Sequence, residues 1–253
     1  MRKTKLTKEL ENPFVKSKNI NKITYRLISI TSLISLFLVG HQPILNQYGK
    51  WLRPVDLDPS ADMAVVVDGS ISRIESAILL LKENKVQGVY VNAIPKAKFN
   101  QLIEKHKMPP EKFYWGGCLL FTTFDQPIAF REGLKKYNLS PRSLVLVTNT
   151  YHLRRSLWTY QFILNKSSLN LNVKTHESIE KQIIYDNWWN DKYSRDWVSS
   201  ETQKLIFYWL NYGILNKFEK KDMSDIEFSD VFRKDETTYD PKTIIQNCRN
   251  DPY

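Results

Sequence analysis

The chain has 253 residues and a formal net charge of +10, and its residues are 42% apolar and 13% aromatic, enough to bury one medium-sized core plus appendages. The charge is uneven: residues 1–26 hold eight basic residues against Glu9 and Glu11, a net of +6, so the other 227 share only +4. The basic character therefore belongs to an N-terminal arm rather than to a nucleic-acid face. With no zinc-finger, RNA-recognition or helix-turn-helix signature, no nucleic-acid partner is expected.

Residues 1–22 are polar and basic, the composition of a disordered segment. The uncharged run Leu27–Val39, LISITSLISLFLV, is 13 residues long, short against the roughly 20 of a spanning helix. Three readings compete for it. A cleaved signal peptide has the right apolar length but lacks a small-residue cleavage site. A buried core helix would need a polar face. A signal anchor over residues 25–45, behind a basic cytoplasmic arm 1–24 and before a Pro-rich linker 46–61, fits best. The positive-inside rule then makes the chain a single-pass membrane protein, its N-terminus cytoplasmic and its main domain on the other side.

The main domain is expected over residues 62–216. Asp62–Asp68 is a continuous apolar run ending at Gly69, the pattern of a buried parallel strand. Ser72-Arg73-Ile74-Glu75 reads as a capping box, with Ile71, Ile74, Ile78 and Leu81 as the buried stripe of the helix it opens. Gln87–Asn92 is a second strand, Lys98–Lys107 a helix stopped by Pro109 and Pro110, and Lys112–Gly117 a third strand. A helix over 125–137 is expected to start with Asp125 as its N-cap. Leu144–Thr148 is strand four, Thr150–Leu164 its helix and Leu171–Thr175 strand five. The apolar segment Trp197–Leu215 reads as a last helix capped by Ser199 or Ser200, packing Leu205, Tyr208, Trp209 and Tyr212 on the domain. Residues 217–253 read as a charged, disordered tail. Cys118 and Cys248 have no metal or redox spacing and are expected as free thiols.

Alternating strands and helices predict an α/β fold: a three-layer, Rossmann-like parallel sheet of about five strands with helices on both faces, preceded by one membrane-anchor helix. In the common strand order 3-2-1-4-5 the first and fourth strands are neighbours, and the loops after them flank the switch point where ligands bind. Those loops carry the candidate residues. Asp68, Gly69, Ser70 and Arg73 follow strand one; Thr123 and Gln126 follow strand three; Thr148, His152 and Arg155 follow strand four. Arginines beside a helix N-terminus suit an anionic small molecule. His152 and Asp68 are the candidates for proton transfer, and the spacing of His152 and Arg155 puts both on one helix face. Ser70 lacks the elbow signature of a hydrolase nucleophile. One carboxylate is not a metal site, so no metal is assigned, and no cofactor is named.

Val65-Val66-Val67-Asp68-Gly69-Ser70, the TTFDQ segment 122–126, Val147-Thr148-Asn149-Thr150-Tyr151-His152-x-x-Arg155 and the late WVSSETQK helix together resemble the bacterial SanA/YdcF/ElyC-like family. Its pattern is an apolar strand into a Gly-containing loop and an Arg, then Thr-x-x-(Asn/Glu/Gln), then Val-Thr-Ser-x-Tyr-His-x-x-Arg-Ala. This chain departs from it: Asp68-Gly69-Ser70 stands where Gly-Gly-Gly is frequent, Asn92 where a Gly commonly follows strand two, and Ser156 where Ala is usual. The resemblance implies a membrane-anchored domain acting in cell-envelope or surface-glycan metabolism. It leaves open a non-catalytic envelope sensor or assembly factor, and a nucleotide- or S-adenosylmethionine-binding enzyme.

Overall fold

The computed structural model describes residues 13–117, 122–167, 169–178, 184 and 186–215. The arm before residue 13, Cys118, Cys248 and the tail after residue 215 lie outside the described residues. The chain divides into two compact units, Met1–Gln47 and Tyr48–Tyr253.

Helix α1, Pro13–Leu52, begins in the first unit. Residues 13–22, expected to be disordered, are helical. The hydroxyls that dilute the apolar run turn back onto the helix: Ser29 Oγ donates to the Tyr25 carbonyl at 2.9 Å and Thr31 Oγ1 to that of Leu27 at 3.0 Å. Leu27, Ile28, Ile30, Leu33 and Ile34 are exposed within the unit. No single helix among the described residues is long and apolar enough to cross a membrane. The bent pair Thr24–Ser35 and Gly40–Leu52 passes together by length and composition. Pro43, inside the second half of that pair, removes a helical hydrogen bond close to the break.

The second unit is built on five parallel strands, β1 (Met63–Val66), β2 (Gly88–Val91), β3 (Phe113–Trp115), β4 (Ser143–Thr148) and β5 (Asn172–Glu177), in the order 3-2-1-4-5. β1 lies between β2 and β4, with Val66 opposite both Val91 and Val147. The apolar runs are continuous because both faces of this sheet are covered. On one face α2 (Ile71–Lys82) and α3 (Lys96–Lys105) pack Ile74, Ile78, Phe99 and Leu102 on Val66, Val91 and Val147. On the other, α4 (Asp125–Lys136) and α5 (Leu153–Lys166) pack Phe130, Leu134, Tyr160 and Leu164 on Val65, Val67 and Leu146. The last helix, α6 (Lys192–Tyr208), runs into a π-helical turn, Trp209–Ile214.

Several local expectations change. α2 starts at Ile71 with Ser70 at the N-cap, so Ser72 lies inside the helix and there is no capping box. Glu75 instead pairs with Lys105 across to α3, at 3.1 Å. Ile71 is exposed and leaves the buried stripe. α4 has Phe124, not Asp125, at its N-cap; the Asp125 carboxylate accepts from the Thr122 N–H at 2.7 Å and so fixes the loop before the helix. α6 begins five residues before the expected Trp197, because Asp191 accepts from the Ser194 N–H at 2.7 Å. Ser199 and Ser200 lie inside it, and Trp209 is exposed.

The stretch expected as a linker is helical to Leu52 and then lies along β5. Asp56 N–H donates to the Thr175 carbonyl at 3.2 Å, Thr175 N–H returns to the Asp56 carboxylate at 2.7 Å, and Lys174 Nζ reaches the Ser60 carbonyl at 2.9 Å. Arg53 Nε meets Glu177 at 2.6 Å. An exposed edge strand is a pairing liability, and this segment covers it.

α4 approaches the sheet closely at Gly133, where an added Cβ would lie 2.1 Å from the Tyr90 hydroxyl and 2.5 Å from its ring. Tyr90 is buried and its hydroxyl donates to the Ala129 carbonyl at 2.9 Å, so the ring has nowhere to move. Gly133→Ala should therefore lower the unfolding free energy by about 2 kcal/mol, overpacking outweighing the roughly 1 kcal/mol helix-propensity gain. Urea denaturation of the two proteins measures it.

Candidate functional site

The carboxyl edge of the sheet collects the candidate residues. Asp68 lies two residues beyond the end of β1 and has a positive φ of 61°, a conformation costly for a residue with a Cβ. Two groups hold it there. Its N–H donates to Gln126 Oε1 at 2.8 Å, and Arg73 Nη1 donates to the carbonyls of Val67 at 2.8 Å and Asp68 at 3.3 Å and to the Asp68 carboxylate at 3.1 Å. Arg73 is buried, while the Asp68 side chain is 62% exposed. Gly69 is required by proximity: a Cβ there would stand 2.5 Å from the Ala93 carbonyl oxygen and 2.7 Å from that of Asn92. Ser70 Oγ lies 3.1 Å from Ser72 Oγ at the start of α2, both half-buried.

On the neighbouring strand the small polar residues after β4 shape the turn into α5. Asn149 Oδ1 accepts from the His152 N–H at 3.0 Å and caps that turn. The Thr150 hydroxyl donates to Glu177, and the Tyr151 hydroxyl to the Ile184 carbonyl at 3.0 Å. Thr148 is fully buried, its hydroxyl without a hydrogen-bond partner among the described residues, so it lies beneath the edge rather than on its surface.

His152 and Arg155 do share a face, and that face is turned to Glu201 of α6. Arg155 makes a two-pronged bond to it, Nε to Oε2 at 2.8 Å and Nη2 to Oε1 at 3.0 Å. His152 Nδ1 lies 3.3 Å from the same Oε2. Arg155 Nη1 donates to the Thr123 hydroxyl, and its guanidinium stacks over the Tyr208 ring at 5.3 Å. Glu201 is 2% exposed, and Arg155, His152, Thr123 and Tyr208 are buried with it. Lys204 approaches Glu201 from the outer side at 3.5 Å.

Burial would raise the Glu201 carboxyl, but the Arg155 charge and the hydrogen bonds from His152 and Arg155 hold it well below the usual carboxylate range. Burial, then the Arg155 charge and that of Arg73, push His152 down to about 4 against the opposing pull of Glu201. Burial would lower the Arg155 guanidinium, and Glu201 overcomes it, leaving the guanidinium raised. The histidine is thus neutral at physiological pH, beside a fixed ion pair.

Two clusters result. Asp68, Gln126 and Arg73 set the loop after β1, and Thr123, Arg155, His152 and Glu201 form a closed network between α5 and α6. Gln126 and Thr123, three residues apart where α4 begins, carry one cluster into the other. Arg154 turns away from Glu201, its guanidinium 4.8 Å from the centre of the Trp51 ring and its Nε on the Trp51 carbonyl at 2.7 Å. From the chain alone Glu201 and Lys204 read as covering the site or as pairing along their helix; the structure gives Glu201 to Arg155 and His152 as well, with Lys204 at 3.5 Å. The partners of two more residues are not legible in the chain: Asn149 caps the turn at His152, and Tyr208, expected only to pack, lies against the Arg155 guanidinium. Among the described residues no group of three or more His, Cys, Asp or Glu could hold a metal ion.

A cavity of about 490 Å³, lined by Met63, Gly88, Tyr114 and Arg142, lies at the opposite, amino edge of the sheet and adjoins none of these residues. Ligands of open parallel sheets generally bind outside the carboxyl ends of the strands, the edge at which the candidate residues lie. A scan against protein-family models finds no match, and a search of curated proteins finds none either.

Proposed function

We propose that the domain binds an anionic or phosphorylated small molecule at the carboxyl edge, between the β1–α2 and β4–α5 loops. The observation that carries this reading is the reversal of strand order between β1 and β4. Helices α2 and α5 both begin there and bring Gly69, Ser70, Arg73 and His152 to one edge. The N-terminus of α2, with two half-buried hydroxyls and no side-chain cap on its N-cap residue, is the anion end. Arg155 serves this site indirectly, since Glu201, Thr123 and Tyr208 engage its guanidinium. His152 is the candidate for proton transfer, and Asp68, exposed and paired with Arg73, is the weaker one.

The Tyr151-His152-x-x-Arg155 segment, together with its order after VVVDGS and TTFDQ, supports placing the chain with the SanA/YdcF/ElyC-like proteins. On that reading the bent pair Thr24–Ser35 and Gly40–Leu52 is the membrane anchor, the basic arm is cytoplasmic and the domain serves envelope or surface-glycan metabolism from the other side.

Inorganic phosphate tests the anion site on the full chain in detergent. Phosphate at about ten times its Kd should raise the Tm by roughly 2–5 °C over chloride of equal ionic strength. The double variant Ser70→Ala, Ser72→Ala should lose most of that rise while melting normally without phosphate. An unchanged Tm in the wild type, with no small molecule retained in native mass spectrometry, removes the reading.

A further inference from the structure

The ring of His152 is held from one side only. Its Nδ1 faces Glu201 Oε2, and among the described residues Nε2 makes no hydrogen bond. The His152 side chain is 8% exposed. A carboxylate only accepts, so a bond between it and Nδ1 requires the proton on Nδ1 and leaves a lone pair on Nε2. The carboxylate cannot rotate to escape this role, because both its oxygens are engaged by Arg155.

We propose that Glu201 is a positioning residue that fixes His152 as the Nδ1–H tautomer, so that Nε2 offers a neutral hydrogen-bond acceptor to a hydroxyl of the bound ligand. This deepens the anion-site reading and rests on it: the ligand is a hydroxyl-bearing phosphate or carboxylate, with its charge at the start of α2 and its hydroxyl at His152. The charged groups facing the imidazole are Arg155, Arg73 and Glu201, with Lys204 behind Glu201. They sum to a positive surrounding that opposes a cationic ring, which is why an acceptor, not a second cation, meets the ligand. The arrangement parallels the carboxylate-oriented histidines of nucleophilic and metal sites, where a partner fixes one ring nitrogen and frees the other.

The tautomer is directly visible in long-range ¹H–¹⁵N correlation spectra of the full chain labelled at histidine. The four histidines are separated by the loss of the His152 signals in His152→Gln. At neutral pH the wild type should show Nδ1 protonated and Nε2 bare, and in Glu201→Gln the Nε2–H form should gain population. A wild-type spectrum with Nε2–H overturns the proposal, whether or not the Gln variant folds. Titrating glycerol phosphate should shift the Nε2 resonance, whereas inorganic phosphate should raise the Tm without moving it. Saturable glycerol phosphate binding with Nε2 unmoved overturns the acceptor role. If neither phosphate binds, the anion reading falls and the acceptor role with it, while the tautomer still reports on Glu201 alone.

Discussion

Glu201→Ala should destabilise the domain by about 3–5 kcal/mol, the cost of leaving a buried charge without its partner. Arg155 is 8% exposed and has its Nε and Nη2 on this carboxylate, so truncation strands a guanidinium that cannot reach water. Its remaining contacts, the Thr123 hydroxyl and the Tyr208 ring, are too weak to replace an ion. The double variant Arg155→Met, Glu201→Leu separates charge burial from packing. It should recover most of the loss, since an apolar pair of similar volume replaces a buried ion pair at little cost. Urea denaturation of the wild type, the single and the double variant measures both. A single variant within about 1 kcal/mol of wild type would mean that the network is open to solvent.

Stability should also fall steeply on mild acidification. The folded-state His152 is pushed down to about 4, while an unfolded histidine titrates near 6.5. Between those values the unfolded chain binds more protons than the folded one, so the unfolding free energy rises with pH across the window. The contribution is complete above about pH 6.5 and is lost as pH falls toward 4, about 3 kcal/mol in all. Glu201 has the same sign: its depressed carboxyl contributes above its unfolded value and is lost as pH falls through its folded one. Its loss begins where that of His152 ends, so the two give one continuous acid limb. Urea midpoints at pH 7, 6 and 5 should fall in the wild type and fall much less in His152→Gln, where His176, also lowered by burial, leaves a smaller slope of the same sign. A Gln variant with the wild-type slope would assign the limb to other groups.

The sheet was legible because its information is local. Met63–Val66, Gly88–Val91 and Ser143–Thr148 are short apolar runs that stop at polar or turn-forming residues, and right-handed crossovers leave few orders for five such strands. The edge at which Arg73, Thr123, His152 and Arg155 meet follows from that order. What the chain does not show in one dimension is which partner a polar side chain takes. Glu75 looks like a capping residue to Ser72, yet Lys105 of a separate helix holds it. Ser199 and Ser200 look like caps, but Asp191 acts earlier in the chain. Arg155 reads as a ligand group until α6 supplies a carboxylate from 46 positions away. The segment after Leu52 reads as a tether because of its prolines, and only the exposed edge of β5 explains why it lies down.

The delivery of Glu201 by the last described helix has a consequence for the nascent chain. Arg155 leaves the ribosome 46 residues before its counterion, an interval of about 2–9 s at ordinary elongation rates. During that time the five strands can be complete in sequence, yet docking α5 in its final place would bury a lone cation. A product truncated before α6 should therefore leave Arg155 without its counterion at the centre of the edge where we place the ligand.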